Sequence, residues 1–268
     1  FLSLLIDDCI ATGIDYHSGG ARYNTSYIQG VGIGSITDSL SALKYHVFEN
    51  QTFSMDELLS ALENDFDGQE KIRQRLLNKT PKYGNDNDYA DDLMKEVFEI
   101  YFDAVTGRPN TKGGEYQINL LPTTVHVYFG SVIGALPDGR KAGIPLSEGI
   151  SPVQGADRKG PTAVIKSVGK MDHIRTGGTL LNQKLTPNLL DDAAGVEKFV
   201  QLVRSYFNMD GHHIQFNVVT RETLQKAKAN PDQYRDLIVR VAGYSDYFCD
   251  LSDALQDEII NRTEHEAF

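Results

Sequence analysis

The chain of 268 residues is long enough for one large domain or two of average size, and its 40% apolar content can fill a sizeable core. The 26 basic against 37 acidic residues leave a net charge of −11 with no basic run, which argues against a general nucleic-acid binder. Two cysteines, Cys9 and Cys249, are too few for a disulfide framework and fit a reducing cytoplasm, and no apolar stretch reaches the length of about 18 residues that would suggest a membrane span.

The chain starts at Phe1, without a Met and inside an apparent helix, which suggests a piece of a longer polypeptide. Phe1 to Ile6 is apolar but lacks the basic leader of a signal peptide. Residues 3–12 read as one helix ended by Gly13, and residues 19–24 as a loop. Gly30 to Gly34 is glycine-dense and leads into a helix over 35–48. Such a loop can cradle a phosphate. Here no full G-x-G-x-x-G follows a strand and no Walker lysine is present, so tight packing of loop on helix is the preferred reading. Ser54 and Glu57 form a capping box for a helix over 55–65. A helical pattern over 69–77 is stopped by Pro81. Asn85-Asp86-Asn87-Asp88 fails the EF-hand spacing and fits the cap of a helix over 89–105. The apolar stripe of that helix is Leu93, Val97, Ile100, Tyr101 and Ala104.

Residues 1–106 are thus mainly helical, and the texture changes beyond Gly107. Residues 115–121 and 124–129 read as strands, 136–141 as a turn and 151–157 as a loop. Residues 162–168 suit helix or strand equally. A strand over 179–185 precedes an amphipathic helix over 191–207 that stops at Gly211. Residues 213–219 alternate as a strand, and a helix over 222–229 ends at Pro231. Leu237 to Val241, broken only by Arg240, reads as a buried strand, followed by a turn at Ala242-Gly243-Tyr244 and a helical tail over 250–263. The strand–helix alternation over 107–268 indicates an α/β fold.

Three candidate features arise from the residues themselves. Arg240 in an apolar strand is costly unless paired, so it serves either an internal partner or a docking protein. His212 and His213 point to opposite faces of a strand, so they and His126 predict no metal site. Gly243 reads by default as a turn glycine, where a positive φ or a close backbone approach is needed.

The string R-V-A-G-Y-S-D-Y-F, Arg240 to Phe248, resembles the radical motif of the glycyl radical enzymes, the pyruvate formate-lyase superfamily. A radical on Cα spreads over both flanking amides only if that carbon becomes planar, and a Cβ would crowd it. The resemblance covers essentially the whole chain. Tyr83-Gly84-Asn85-Asp86, Pro137-Asp138-Gly139-Arg140-Lys141-Ala142, Ser151-Pro152-Val153-Gln154-Gly155, Gly160-Pro161-Thr162-Ala163-Val164, Gly177 to Gln183 and Asp210 to Asn217 look like family segments and come in family order. The dehydratase branch looks nearest, of the trans-4-hydroxyproline or glycerol type, and Tyr23 to Gln29 leans toward the former.

The resemblance implies the C-terminal half of an α/β barrel with surrounding helices, with Gly243 on a loop that enters its centre. It implies a dehydratase acting on a small hydroxylated substrate, with no bound cofactor. A separate S-adenosylmethionine-dependent iron–sulfur activating enzyme would install the radical on Gly243. A cysteine on a facing loop would then take it up as a thiyl, and a glutamate would act as base. Arg240, Tyr244 and Phe248 would support the radical loop, the two aromatics by excluding oxygen and water. Thr123, Thr124 and His126 would lie on the substrate side. A homodimer is implied for the full-length enzyme, in the cytoplasm.

One departure stands out. The family's catalytic cysteine sits in a G-C-x-E loop, and none occurs here. Cys9 is followed by Ile10-Ala11 and reads as a small buried hydrophobe, and Cys249 as an incidental thiol. The chain alone is therefore expected to be inactive without the N-terminal part of such a lyase. The alternatives are a formate acetyltransferase-like C–C lyase, a non-catalytic subunit that supplies a fresh radical glycine, and an α/β small-molecule binder without radical chemistry.

Overall fold

A computed structural model describes residues 1–121 and 123–268. The first predicted helix is two pieces, a 3-10 turn over Leu2–Leu5 and α1 over Asp7–Thr12, because Ile6 between them is extended. A strand that the sequence does not announce, β1 (Ser26–Gln29), precedes α2 (Ile33–Ala42), which runs on as a π-helix over Leu43–Glu49. The glycine-dense loop before α2 is closed by packing. Ser147 Oγ accepts from the Ser35 N–H at 3.1 Å, and Ser35 Oγ accepts from the Ser147 N–H at 2.9 Å.

The capping box forms as expected over α3 (Met55–Glu63). Ser54 Oγ accepts from the Glu57 N–H and Glu57 Oε2 from the Ser54 N–H. After α4 (Glu70–Lys79), the Asn-Asp cluster caps α5 (Asp88–Val105), with Asn87 Oδ1 accepting from the Tyr89 N–H. The buried stripe of α5 is rotated from the expected one. Ala90, Met94 and Phe98 are buried, with Val97, Tyr101, Phe102 and Val105 beside them, while Ile100 is 71% exposed.

Beyond β2 (Tyr116–Asn119), the predicted strand over 124–129 is instead a helix, α6 (Val125–Val132). Its apolar run lacks alternation. His126 and Gly130, four apart, are buried, whereas Tyr128 and Phe129 are exposed. The turn after it is organised by Arg140, whose guanidinium donates to the carbonyls of Gly130, Ile133, Gly134 and Ile144. The undecided segment is a helix, α7 (Pro161–Val168), with Pro161 at its first turn where the missing N–H costs nothing. The remaining elements are β3 (Leu181–Leu185), α8 (Ala193–Asn208), β4 (Ile214–Val218), α9 (Arg221–Ala229), β5 (Ile238–Arg240), β6 (Ser245–Tyr247), α10 (Asp253–Asn261) and β7 (Glu264–His265).

Strand β1 pairs in parallel with β2, β2 is joined to the start of β3 by a parallel bridge between Leu120 and Thr179, and β3 runs parallel to both β4 and β7. The architecture is α/β with an open parallel arc, and no closed barrel forms among the described residues. The expected buried strand over 237–241 is one arm of a two-stranded antiparallel hairpin, β5–β6, with Val239 1% and Ile238 57% exposed. A main core joins α5, α7 and α8 to β2 and β3. A second core, built from Leu224, Val239, Val241, Phe248 and Ile259, lies under the hairpin, and a third under α3 and α4. Among the described residues no helix is long and apolar enough to cross a membrane.

The joint between α2 and the segment before α5 is a buried ion pair. Asp38 Oδ1 accepts from the Tyr83 N–H at 2.9 Å and Oδ2 lies 3.7 Å from Lys82 Nζ. Burial pushes the Asp38 carboxyl up to about 7 despite Lys82. A folded-state value raised above the unfolded one stabilises the fold at low pH, and that stability is lost as pH rises. Equilibrium unfolding of the wild-type chain, relative to Asp38→Asn, is therefore expected to lose stability between about pH 4 and 7, at no more than about 1.4 kcal/mol per pH unit. Parallel pH curves for the two proteins would refute this.

Candidate functional site

Strands β3 and β4 each present two kinds of side chain, because successive residues alternate faces. On β4, Ile214 and Phe216 pack against the main core, while Gln215 and Asn217 are buried on the opposite face. The register sets Asn182 beside Gln215 and Lys184 beside Asn217. The result is a buried polar face of three amides and one amine, which requires partners, since an unpaired buried polar group costs about 1–3 kcal/mol.

The backbone of the β5–β6 hairpin supplies them for Gln215 and Asn217. Asn217 Nδ2 donates to the Arg240 carbonyl and Asn217 Oδ1 accepts from the Arg240 N–H, both at 2.8 Å. Gln215 repeats the pattern two residues on. Its Oε1 accepts from the Gly243 N–H at 3.0 Å, and its Nε2 donates to the Val241 carbonyl at 3.3 Å and to Asn182 Oδ1. The tip is closed by the Val241 N–H donating to the Tyr244 carbonyl at 2.9 Å, leaving Ala242 and Gly243 as the loop. Gly243 takes φ +80°, a left-handed conformation that favours glycine.

From the other side, Arg262 of the segment after α10 donates to the carbonyls of Val241 at 2.9 Å and Arg240 at 3.3 Å. Its guanidinium also pairs in bidentate fashion with Glu258, at 3.1 and 2.8 Å. Both side chains are buried. Burial alone would raise the Glu258 carboxyl, but Arg262 and the imidazole of His126, 3.6 Å away, hold it well below the usual carboxylate range. Burial pushes the nearby Glu148 carboxyl up, against the pull of Arg262 and with the repulsion of Glu258. Lys184 is fully buried, donates to the Ile260 carbonyl at 2.9 Å, and is lowered to about 8 by burial.

The predicted residues fall in different places. Gly243 is on the hairpin tip and exposed in this chain. Phe248 is fully buried in the core under the hairpin, while Tyr244 is 40% exposed at its tip. Arg240 is not the buried, ion-paired arginine. Its side chain reaches outward, Nη1 donating to Ser245 Oγ at 3.1 Å, and Arg262 fills the buried position instead. Thr123 is exposed and Thr124 half-buried at the entry to α6, and His126 is buried against Glu258. Cys9 is buried as expected, and Cys249 Sγ lies 3.3 Å from the Tyr234 carbonyl. Burial pushes both thiols up, away from thiolate. The His212 ring lies tilted by 58° beside that of buried His173, and among the described residues no three His, Cys, Asp or Glu side chains are placed to hold a metal ion.

Gln215, Asn217, Asn182, Glu258 and Arg262 were not singled out from the sequence. Asn182, Gln215 and Asn217 lie within segments that carry the family resemblance, and on β4 the amides alternate with apolar residues, whereas Glu258 and Arg262 carry no such signal.

Residues 1–130 match the pyruvate formate lyase-like family and residues 146–249 the glycine radical family. The chain is 60% identical over 263 residues to trans-4-hydroxy-L-proline dehydratase of Clostridioides difficile, covering 98% of this chain and 33% of that enzyme. The crystal structure of that dehydratase with trans-4-hydroxy-L-proline bound superposes with a TM-score of 0.96 over 99% of this chain. The B12-independent glycerol dehydratase of Clostridium butyricum, 47% identical, superposes with a TM-score of 0.94 over 100% of this chain and 34% of its own. The chain thus spans about a third of the length of these relatives, corresponding to their C-terminal part. It belongs to the glycyl radical enzymes of the pyruvate formate-lyase superfamily.

Proposed function

We propose that this chain is the radical-bearing C-terminal part of a glycyl radical dehydratase, with Gly243 as the radical store. The observation that carries the reading is the placement of Gly243. It sits at a hairpin tip with φ +80° and its own N–H held by Gln215 against a buried polar strand face. A separate activating enzyme, with an iron–sulfur cluster and S-adenosylmethionine, would remove one hydrogen atom from the Gly243 Cα. The exposed tip leaves that carbon open to approach. The hydrogen-abstracting cysteine and the base belong to the part of the longer relatives that this chain does not span, since neither Cys9 nor Cys249 lies in a G-C-x-E loop. Arg240 and Phe248 support the loop from its strand and its core, and Tyr244 lies where a covering segment would meet it. Thr123 and Thr124 are the substrate-side candidates, and His126 steadies Glu258.

The substrate proposed is trans-4-hydroxy-L-proline or a small hydroxylated relative, on the strength of the 60% identity. Relatives named for hydroxyproline and for glycerol share the backbone of this segment with TM-scores of 0.96 and 0.94, so its fold by itself does not select the substrate.

The test is a chimera in which these residues replace the C-terminal third of the C. difficile dehydratase. After anaerobic activation it is expected to show a glycyl doublet by electron paramagnetic resonance and to turn over trans-4-hydroxy-L-proline. The isolated chain is expected to turn over nothing. An assembled, activated chimera with no doublet would sink the proposal.

A further inference from the structure

The Gly243 N–H can only donate and the Val241 carbonyl can only accept. The orientation of the Gln215 amide between them is therefore dictated, with Oε1 toward Gly243 and Nε2 toward Val241. Asn182 Oδ1 takes the second Nε2 hydrogen, so the amide has no freedom to flip. Gln215 is 5% exposed, although the glycine that it holds is exposed. In effect its side chain stands in for a peptide unit of a neighbouring strand and pins the plane of the peptide that precedes the Gly243 Cα. The second core under the hairpin, which includes Ala242, and the Asn217 pair hold residues up to 242, and among the described residues the Gln215 bond is the one made by the glycine's own N–H.

We infer that Gln215 is a positioning residue for the radical: its side-chain amide fixes the plane of the peptide that precedes the Gly243 Cα and so limits how far the unpaired electron spreads into it. This rests on the reading of Gly243 as the radical store. Spin on Cα enters the preceding peptide only as far as the plane of that peptide and the plane of the radical carbon coincide, and the Gln215 bond sets the first of them. At φ +80° the two planes stand about 80° apart, so the bond as it stands keeps the spin on Cα, and without it the loop tip can turn toward the flat geometry in which spin enters the peptide.

The activated chimera tests this with Gln215→Leu, close in size but without hydrogen bonds, and Asn217→Leu, which frees residue 240 instead. Gln215→Leu is expected to reduce the α-proton splitting of the doublet, as spin leaves Cα for the freed peptide, while Asn217→Leu leaves the splitting unchanged. A wild-type splitting in Gln215→Leu overturns the inference and leaves the radical reading intact. A wild-type chimera without a doublet removes both. Should Gln215→Leu not fold, amide hydrogen exchange at Gly243 in the unactivated wild-type chimera decides. Protection of the Gly243 amide beyond that of Tyr244 beside it on the tip supports the bond, and equal exchange of the two overturns it.

Discussion

Gly243→Ala in the chimera is expected to abolish the doublet and turnover while leaving the fold in place. The two effects have different sizes for a physical reason. An alanine at φ +80° costs about 1–2 kcal/mol of backbone strain. The added Cβ would meet Leu180 Cδ1 at 3.5 Å, an ordinary contact, so no steric term follows. Thermal unfolding should therefore drop by only a few degrees. The chemical cost is far larger. Removing hydrogen from an alanine Cα leaves a centre that must become planar beside its own methyl and between two amides, so the stabilising overlap is lost. Turnover within tenfold of wild type, or a persisting doublet, would show that the unpaired electron is held elsewhere.

Arg262→Met is expected to be the most destabilising single change near the loop, by about 3–5 kcal/mol in equilibrium unfolding of the chimera. It strands Glu258 as a buried charge and removes the donors to the Val241 and Arg240 carbonyls at once. The double variant Glu258→Leu with Arg262→Met separates these roles. A buried pair replaced by apolar side chains often recovers stability, so the double variant should regain most of the loss. It should not regain radical yield, because the loop carbonyls still lack their donor. Radical yield that rises together with stability would mean that Arg262 matters to the loop only through the fold.

The amino-acid sequence by itself determined the features whose physics is local. Ser54 and Glu57 reach each other across one turn, Asn87 caps the helix that follows it, and residues 213–219 alternate over a few positions. The stretch from Arg240 to Phe248 likewise carries its chemistry in order along the chain, so the family was legible there. The helix over Val125–Val132 was not, because a short apolar run has no period until something packs on one side of it, and here that is Pro145 and the segment before it against Gly130. The stripe of α5 was misjudged for the same reason, since Ile100 is as apolar as its buried neighbours but nothing in this chain covers it.

Only the tertiary structure decided which groups hold the loop. Gln215 and Gly243 are 28 residues apart, and Arg262 and Val241 are 21 apart. A glutamine in a strand reads the same whether its amide meets water or a backbone, and an arginine near a chain end reads as a surface charge. Burial decides between these, because a polar group removed from water must find a partner, and the partner is chosen by the register of β3 and β4 and by the way the hairpin folds back on them.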